Sequence, residues 1–191
     1  MSEVDPDEAD VARVLAGDGG AFEGVVRRWQ GRLVSLAWRF CRDRQRAEDL
    51  AQEAFVRAFR SLRTFRGESA FSTWLTAIAL NVYRSRLRAE GPPLLSLDPG
   101  RLLPTSPGAH RQIEDGERRE QVRRAVLALP PRYRDAIVLY YFEERDLREA
   151  ARILGVPQGT LKARLHRGRE LLRRRCAGLA PHAPVALAEE V

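Results

Sequence analysis

The sequence predicts an all-α protein in which two small helical domains are joined by a flexible linker. Apolar residues recur at the helical spacing of three and four over residues 8–90, and the pattern resumes near Ile113. No segment shows the alternation of apolar and polar residues that is typical of strands. Between the helical regions, residues 91–108 contain five prolines, which exclude a helix and block strand pairing. The length of 191 residues is sufficient for two such domains.

The N-terminal region is predicted to form four helices. The first, Asp7 to Ala16, ends at the glycine-rich segment 17–20, and the second covers residues 21–41. Asp43 is placed to cap the third helix, and Gly67 separates the third from the fourth. The predicted core residues are Phe22, Val25, Val26, Trp29, Leu33, Leu36 and Ala37 of the second helix, Ala47, Leu50, Ala51, Ala54, Phe55, Ala58 and Leu62 of the third, and Phe71, Trp74, Leu75, Ile78, Ala79 and Val82 of the fourth.

After the proline-rich segment, a helical pattern runs from Ile113 to Leu129, stops at two prolines, and continues from Tyr133 to Phe142. A pair of helices follows, and the Ala/Pro-rich tail is expected to fray. The predicted boundaries are therefore 1–90 for the first helical domain, 91–116 for the linker, 117–176 for the second helical domain and 177–191 for a disordered tail.

Residues 146–175 have the features of a helix-turn-helix. Asp146 and Glu149 form a capping-box arrangement, Gly155 suits the left-handed conformation that ends a helix, and Pro157 suits the first turn of the next. The predicted inner residues are Ala150, Ala151 and Leu154 of the first helix and Leu161, Leu165, Gly168 and Leu172 of the second. The predicted outer residues are Lys162, Ala163, Arg164, His166, Arg167 and Arg169. This pattern favours a DNA-reading second helix over the alternative, an ordinary helical hairpin with a solvated arginine face.

Composition limits the classes of partner. The formal net charge of +7 and the pI near 10.3 point to an anionic partner such as nucleic acid. Two cysteines without close spacing indicate a reduced, cytoplasmic protein rather than a disulfide framework. We expect no signal peptide and no direct insertion into a membrane, because no apolar run is long enough. The three histidines are scattered, so neither a metal site nor a cofactor is expected.

The C-terminal motif resembles a known family. The run from Ile153 to Arg169, ILGVPQGTLKARLHRGR, together with LALPPRYR upstream, is similar to the promoter-reading domain of extracytoplasmic-function (ECF) sigma factors. The resemblance implies that the second helix reads the minus-thirty-five element. A glycine at position 168, where alanine is more usual, is predicted to loosen this helix by up to about 1 kcal/mol. The implied base-edge readers are Lys162, Ala163 and His166, with Arg164 and Arg167 in backbone or mixed contacts. Thr160 is a further implied DNA-binding residue of this helix.

A second resemblance lies in the predicted third helix. Asp49, Gln52 and Glu53, within the run EDLAQEAF, share one helix face. The residues alone favour an ordinary solvated surface for this face. The run also resembles the sigma segment that docks on the clamp helices of RNA polymerase, which implies that these three residues bind polymerase.

The segment FRGESAFSTWL, which starts at Phe65, resembles the sigma loop that opens promoter DNA at the minus-ten element. Such a loop needs a pocket for a base drawn out of the stack. The implied DNA-binding residues are Gly67, Glu68, Ser69, Ala70 and Phe71 of the loop and Asn81 and Arg84 of the following helix. Two alternatives remain open: Phe71 and Trp74 could belong to the core, and Ser69 could cap the helix.

The two resemblances, in this order, predict a sigma factor that binds core RNA polymerase and directs promoter-specific initiation. The expected partners are core polymerase, promoter DNA as duplex and as melted non-template strand, and an anti-sigma factor. The protein would then lie in the cytoplasm, at the nucleoid or held at the membrane by that partner. The main alternative is a stand-alone helix-turn-helix regulator, which usually dimerises, and no dimerisation heptad is present. An enzyme such as a recombinase is disfavoured, because the acidic residues form no strand-borne cluster.

Overall fold

The structure, a computed structural model, describes residues 5–89 and 120–177. All regular elements in these two ranges are helical, and no strand occurs in them, which confirms the predicted fold class. The chain divides into two compact units, Met1–Leu94 and Leu95–Val191. The predicted linker, and the predicted tail beyond Ala177, lie outside the described residues. No helix within the described ranges is long and apolar enough to span a membrane.

The first unit contains the four predicted helices with bounds close to those expected. They are α1 (Pro6–Leu15), α2 (Phe22–Cys41), α3 (Arg44–Ser61) and α4 (Phe71–Ala89). Short 3₁₀ turns cover Gly19–Ala21 and Leu62–Thr64.

Local hydrogen bonds explain where these helices begin. The Asp5 carboxylate accepts from the backbone N–H of Asp7 at 2.9 Å at the start of α1. The predicted cap of α3 is confirmed, because Asp43 Oδ1 accepts from the N–H of Arg46 at 2.7 Å. Between α2 and α3 the chain turns at Arg42, which adopts a left-handed backbone conformation with φ of 58°. These residues fix where α1 and α3 begin and where α2 ends.

The core of the first unit lies between α2, α3 and α4. The residues predicted to be buried on α2 and α3 are buried, except for the partly exposed Val26. The prediction for α4 was partly wrong, because Trp74 and Ile78 are half-buried. Leu80 and Tyr83 are fully buried instead, and the Tyr83 hydroxyl donates to the carbonyl of Leu33 at 3.0 Å. The physical reason is that α4 packs against both α2 and α3, so its buried arc is wider than one apolar stripe.

The second unit begins, within the described residues, with helix α5 at residues 120–127. It continues with α6 (Pro131–Ile137), a π-helical turn (Val138–Phe142), α7 (Leu147–Leu154) and α8 (Gln158–Arg175). The predicted helix from 133 to 142 therefore starts two residues earlier, at Pro131, and widens into a π turn. The predicted start of the preceding helix at Ile113 lies outside the described residues.

Helices α7 and α8 form the predicted helix-turn-helix. Asp146 Oδ1 accepts from the N–H of Glu149 at 2.7 Å, and Gly155 ends α7 with φ of 63°. The predicted seam of α8 is buried: it comprises Leu161, Leu165, Gly168 and Leu172. On α7, Leu154 is only half-buried and Ile153 is buried in its place, because Ile153 lies one turn beyond Ala150 on the inner face.

Gly168 has a packing role that the sequence interpretation did not include. A Cβ atom at this position would lie 3.0 Å from Cγ1 of Ile137 and 3.6 Å from Cβ of Tyr133. The missing side chain therefore lets α6 and α8 approach closely. This contact offsets the helix propensity that is lost by placing a glycine within α8.

Candidate polymerase and promoter interfaces

Helix α3 presents part of the predicted polymerase-binding set to solvent. Asp49 and Gln52 are exposed and one turn apart, on the side of α3 opposite its buried stripe. The Asp49 carboxylate accepts a long hydrogen bond from Gln45 Nε2 at 3.4 Å. This part of the helix is thus an accessible surface of acidic and amide groups.

Glu53 has a different environment from the other two residues. Its side chain is 38 % exposed, and its Oε2 accepts from Arg86 Nε on α4 at 2.5 Å. The predicted three-residue set is therefore divided: Asp49 and Gln52 face outward, while Glu53 is bound to the helix that carries Asn81.

The outward side of α3 continues with two exposed apolar residues that the sequence analysis did not assign. Val56 and Phe59 are each 45 % exposed and follow Gln52 at one and two helical turns. The Phe59 ring packs edge-on against Phe22, with centroids 5.2 Å apart, and keeps its other side open. Both residues are apolar but lie outside the buried apolar stripe of α3. This mismatch with the helical spacing could have identified them from the sequence.

The loop before α4 rests on a cluster of three aromatic rings. Phe65, Phe71 and Trp74 lie with their ring centroids 5.4 to 5.5 Å apart, so both ends of the loop are tied to one packing unit. Gly67 turns the loop with φ of +70°, a conformation that favours glycine. The exposed residues between the two ends include Gly67, Glu68 and Ala70, and Ser69 is partly exposed.

The prediction that Phe71 contacts DNA needs correction. Its side chain is 1 % exposed, so the ring cannot serve as a stacking surface for a base. The alternative assignment of Phe71 to the core is confirmed, and Trp74 beside it is half-buried. The reason lies in the tertiary packing. Phe71 is the first residue of α4, and its ring packs against Phe65 and Trp74, where it supports the loop.

Asn81 lies where two clefts meet on the surface of the first unit. A cleft of ≈ 200 Å³ separates α3 from α4, and Asn81 and Ser85 also border a shallower cleft along α4. The Asn81 carbonyl oxygen lies 3.5 Å from Arg84 Nη1. The residues lining the first cleft are Glu53, Arg57, Ser61, Ile78, Asn81, Val82 and Ser85. An exposed amide next to several arginines is suited to bind a base edge and the neighbouring phosphates.

Helix α8 presents most of its predicted DNA-binding residues to solvent. Thr160, Lys162, Ala163, His166 and Arg167 are exposed, and Arg164 is partly exposed. Arg167 Nη1 donates to Glu170 Oε2 at 2.6 Å; this hydrogen bond raises the pKa of Arg167 and lowers that of Glu170. Arg169 is an exception to the predicted outer face, because its Nη1 donates to the Tyr141 hydroxyl at 3.4 Å. The π turn that carries Tyr141 thus binds one arginine away from the outer face.

The two cysteines lie apart from these surfaces. Cys41 is buried as the last residue of α2, where its Sγ donates to the carbonyl of Asp43 at 3.3 Å. Burial raises the pKa of Cys41 and also that of Cys176, so the reactive thiolate is disfavoured at both positions.

Comparison with known protein families matches each unit to one model. Residues 25–92 match sigma-70 region 2, and residues 119–172 match sigma-70 region 4. The chain is 36 % identical over 180 residues to the ECF RNA polymerase sigma factor SigW of Bacillus subtilis (strain 168), covering 88 % of this chain and 96 % of that one.

Solved structures share the fold. CnrH, solved in complex with the cytosolic domain of CnrY, aligns with a TM-score of 0.67 and 24 % identity, covering 92 % of this chain and 100 % of that one. The sigma factor RpoE of Bartonella quintana, solved with the anti-sigma factor NepR, aligns with a TM-score of 0.59 and 23 % identity, covering 84 % and 98 %.

A region 2 helical unit followed by a region 4 helix-turn-helix defines a sigma factor of the sigma-70 type. Its role is to bind core RNA polymerase and direct promoter-specific initiation, and it is an initiation factor rather than an enzyme. The similarity to SigW extends over nearly the whole length of both proteins. The chain belongs to the ECF sigma factors. A stand-alone regulator is disfavoured, because such a protein has no use for a region 2 unit.

Proposed function

We propose that this sigma factor docks on core polymerase through α3 and contacts its promoters through the Asn81 surface and α8. The observation that carries the proposal is the outward stripe of α3, which consists of Asp49, Gln52, Val56 and Phe59. In this stripe, an acidic and an amide side chain are followed by two exposed apolar side chains. Protein interfaces combine an apolar centre with a polar rim, and this stripe supplies both on one helix. The acidic end favours a basic partner surface.

The minus-ten contact is assigned to the loop and to α4. The exposed backbone of the loop at Gly67, Glu68, Ser69 and Ala70 is accessible to a base drawn out of the duplex. Asn81 then provides a donor and an acceptor for a base edge, while Arg84 holds a phosphate of the melted non-template strand. Phe71 supports the loop from within the core and does not touch DNA.

The minus-thirty-five contact is assigned to the exposed side of α8. Lys162 and His166 lie one turn apart and reach base edges in the major groove, with Thr160 and Ala163 beside them. Arg164 and Arg167 bind the phosphate backbone. Because Arg167 is hydrogen-bonded to Glu170, its guanidinium is held close to the helix surface.

Control by an anti-sigma factor is proposed on two grounds. The similar sigma factor RpoE was solved with an anti-sigma factor, and the outward stripe of α3 offers an apolar surface that a competitor of polymerase can cover. We propose that the protein acts at the nucleoid in the cytoplasm and that such a partner can hold it at the membrane. The boundaries 1–90, 91–116, 117–176 and 177–191 stay as proposed limits of the two domains, the linker and the tail.

The docking surface is tested by reconstitution with purified core polymerase. We expect Asp49→Asn and Phe59→Ala each to weaken the affinity of the chain for core polymerase and to reduce promoter-dependent run-off transcription. Glu23→Gln is the matched control, because it removes an exposed acid from α2 whose partner among the described residues is Arg27 of the same helix. Equal polymerase affinity in the wild type and in both α3 variants would remove α3 from the interface.

A further inference from the structure

Glu53 borders two surfaces at once. It lies on α3 next to Gln52, at the edge of the outward stripe proposed to bind polymerase, and it also lines the cleft that contains Asn81. Its carboxylate is bound to Arg86 of α4. A group that binds polymerase would therefore act on a residue that also shapes the minus-ten surface.

The charges around the cleft make this position consequential. Arg57 lines the cleft, and Arg84 and Arg88 line the adjoining one along α4. Among the described residues that line these two clefts, Glu53 is the acidic one. Its negative charge opposes the approach of phosphates to a surface that is otherwise cationic, and its pairing occupies a fourth cation, Arg86.

The Glu53–Arg86 pair is also one that can be exchanged. The two side chains are 38 % and 55 % exposed, and ion pairs in such positions contribute little to stability. A basic group of a docking partner can therefore take over the Glu53 carboxylate at small cost. Arg86 would then turn from Glu53 towards a phosphate of the bound strand, because its side chain is long and 55 % exposed.

We infer that Glu53 is an electrostatic brake that couples polymerase docking to minus-ten DNA binding. In the free chain, Glu53 holds Arg86 and lowers the positive potential of the Asn81 surface. In the holoenzyme, polymerase neutralises Glu53, and Arg86 joins Arg57, Arg84 and Arg88 in binding phosphates. Because such coupling is reciprocal, bound DNA in turn strengthens polymerase docking. The inference rests on the proposed docking surface of α3.

The test compares DNA binding by the free chain and by the holoenzyme. The probe is a labelled fork-junction DNA that carries the single-stranded minus-ten region of a promoter transcribed by this holoenzyme. In the free chain, Glu53→Gln is expected to tighten binding by about fivefold or more, the low end of typical coupling, and adding Arg86→Gln removes that gain. In the holoenzyme, Glu53→Gln produces no gain, whereas Arg86→Gln weakens binding by a similar factor.

Asp49→Asn is the matched control. It removes a carboxylate from the same helix, but its partner is Gln45 and not an arginine of α4. It is expected to weaken polymerase binding and to leave DNA binding by the free chain unchanged. Thermal melting followed by circular dichroism establishes that each variant is folded.

Two results would overturn the brake: unchanged DNA affinity of the free Glu53→Gln chain, or an equal loss in the free chain and the holoenzyme on Arg86→Gln. If Asp49→Asn and Phe59→Ala both leave polymerase affinity unchanged, the docking surface itself fails. The two failures are therefore distinguishable.

Discussion

At the level of single residues, we propose two kinds of DNA contact on the exposed side of α8. Lys162 is assigned to base edges, and Arg164 is assigned to the backbone. We expect Lys162→Ala to reduce discrimination against altered minus-thirty-five sequences by about 1–3 kcal/mol. Arg164→Ala should weaken binding to all sequences alike. It should also reduce the slope of log affinity against log salt concentration by about the contribution of one phosphate contact. Holoenzyme affinity measured over a set of promoter variants and salt concentrations separates the two effects.

The assignment would be reversed if Arg164→Ala changed the preferred sequence and Lys162→Ala changed only the salt slope. Arg173→Ala serves as the control, because this exposed arginine lies in the last turn of α8, away from the residues assigned to base edges.

The two glycines of α8 provide a second test at this scale. A Cβ at Gly159 meets nothing within 4 Å, whereas a Cβ at Gly168 lies 3.0 Å from Ile137. Gly159→Ala is therefore expected to raise the free energy of unfolding by up to about 1 kcal/mol through helix propensity. Gly168→Ala should gain less, or lose stability, because the buried Ile137 has little room to move.

Urea unfolding of the two alanine variants measures this difference. An equal or larger gain for Gly168→Ala would show that close packing of α6 and α8 does not depend on the missing side chain.

At the level of elements, the buried carboxylate of Asp7 links α1 to α2. Asp7 accepts from Trp29 Nε1 and from Arg28 Nε, both at 2.8 Å. Trp29→Phe leaves Asp7 with one buried partner fewer, so we expect the free energy of unfolding to fall by about 1–3 kcal/mol. The substitution should also increase the rate of amide hydrogen exchange more in α1 than in α3.

Arg27→Gln is the control for that change. It breaks an exposed pair with Glu23 on the same helix and should cost no more than about 0.5 kcal/mol. Unchanged exchange in α1 of the Trp29→Phe protein would mean that α1 is held mainly by apolar contacts such as Val11.

Most of the elements could be predicted from the sequence, because helices follow from spacing and caps that lie within a few residues of each other. Asp43 and Gly155 marked helix ends in this way. The buried arc of α4 could not be predicted, since it depends on packing against both α2 and α3. The π turn at Val138–Phe142 also had no signal in the apolar spacing.

At the level of the whole molecule, the two units contribute to one promoter complex. When binding sites are linked, the second contact forms at a high effective concentration, which raises affinity by a factor of about 10² to 10⁴. We therefore expect the isolated segment 117–191 to bind a minus-thirty-five duplex at least about 100-fold more weakly than the holoenzyme binds the full promoter. Fluorescence anisotropy with both samples in the same salt gives the comparison.

Affinity of the isolated segment equal to that of the holoenzyme would show that the register on DNA is set by α8 alone. The segment must first be shown to be helical by circular dichroism, so that weak binding is not a consequence of unfolding.

The sequence by itself determined the all-α class, the helix caps, the seam of the helix-turn-helix and the family. These properties depend on residue types at short, regular spacings. Only the tertiary structure decided that Phe71 is a core residue, that Gly168 makes room for Ile137 and that Glu53 is bound to Arg86. Each of these contacts joins separate helices or loops, and the packing of the whole unit decides which of them come into contact. The helix-turn-helix could therefore be read from local patterns, whereas the charge balance of the Asn81 surface required the packed fold.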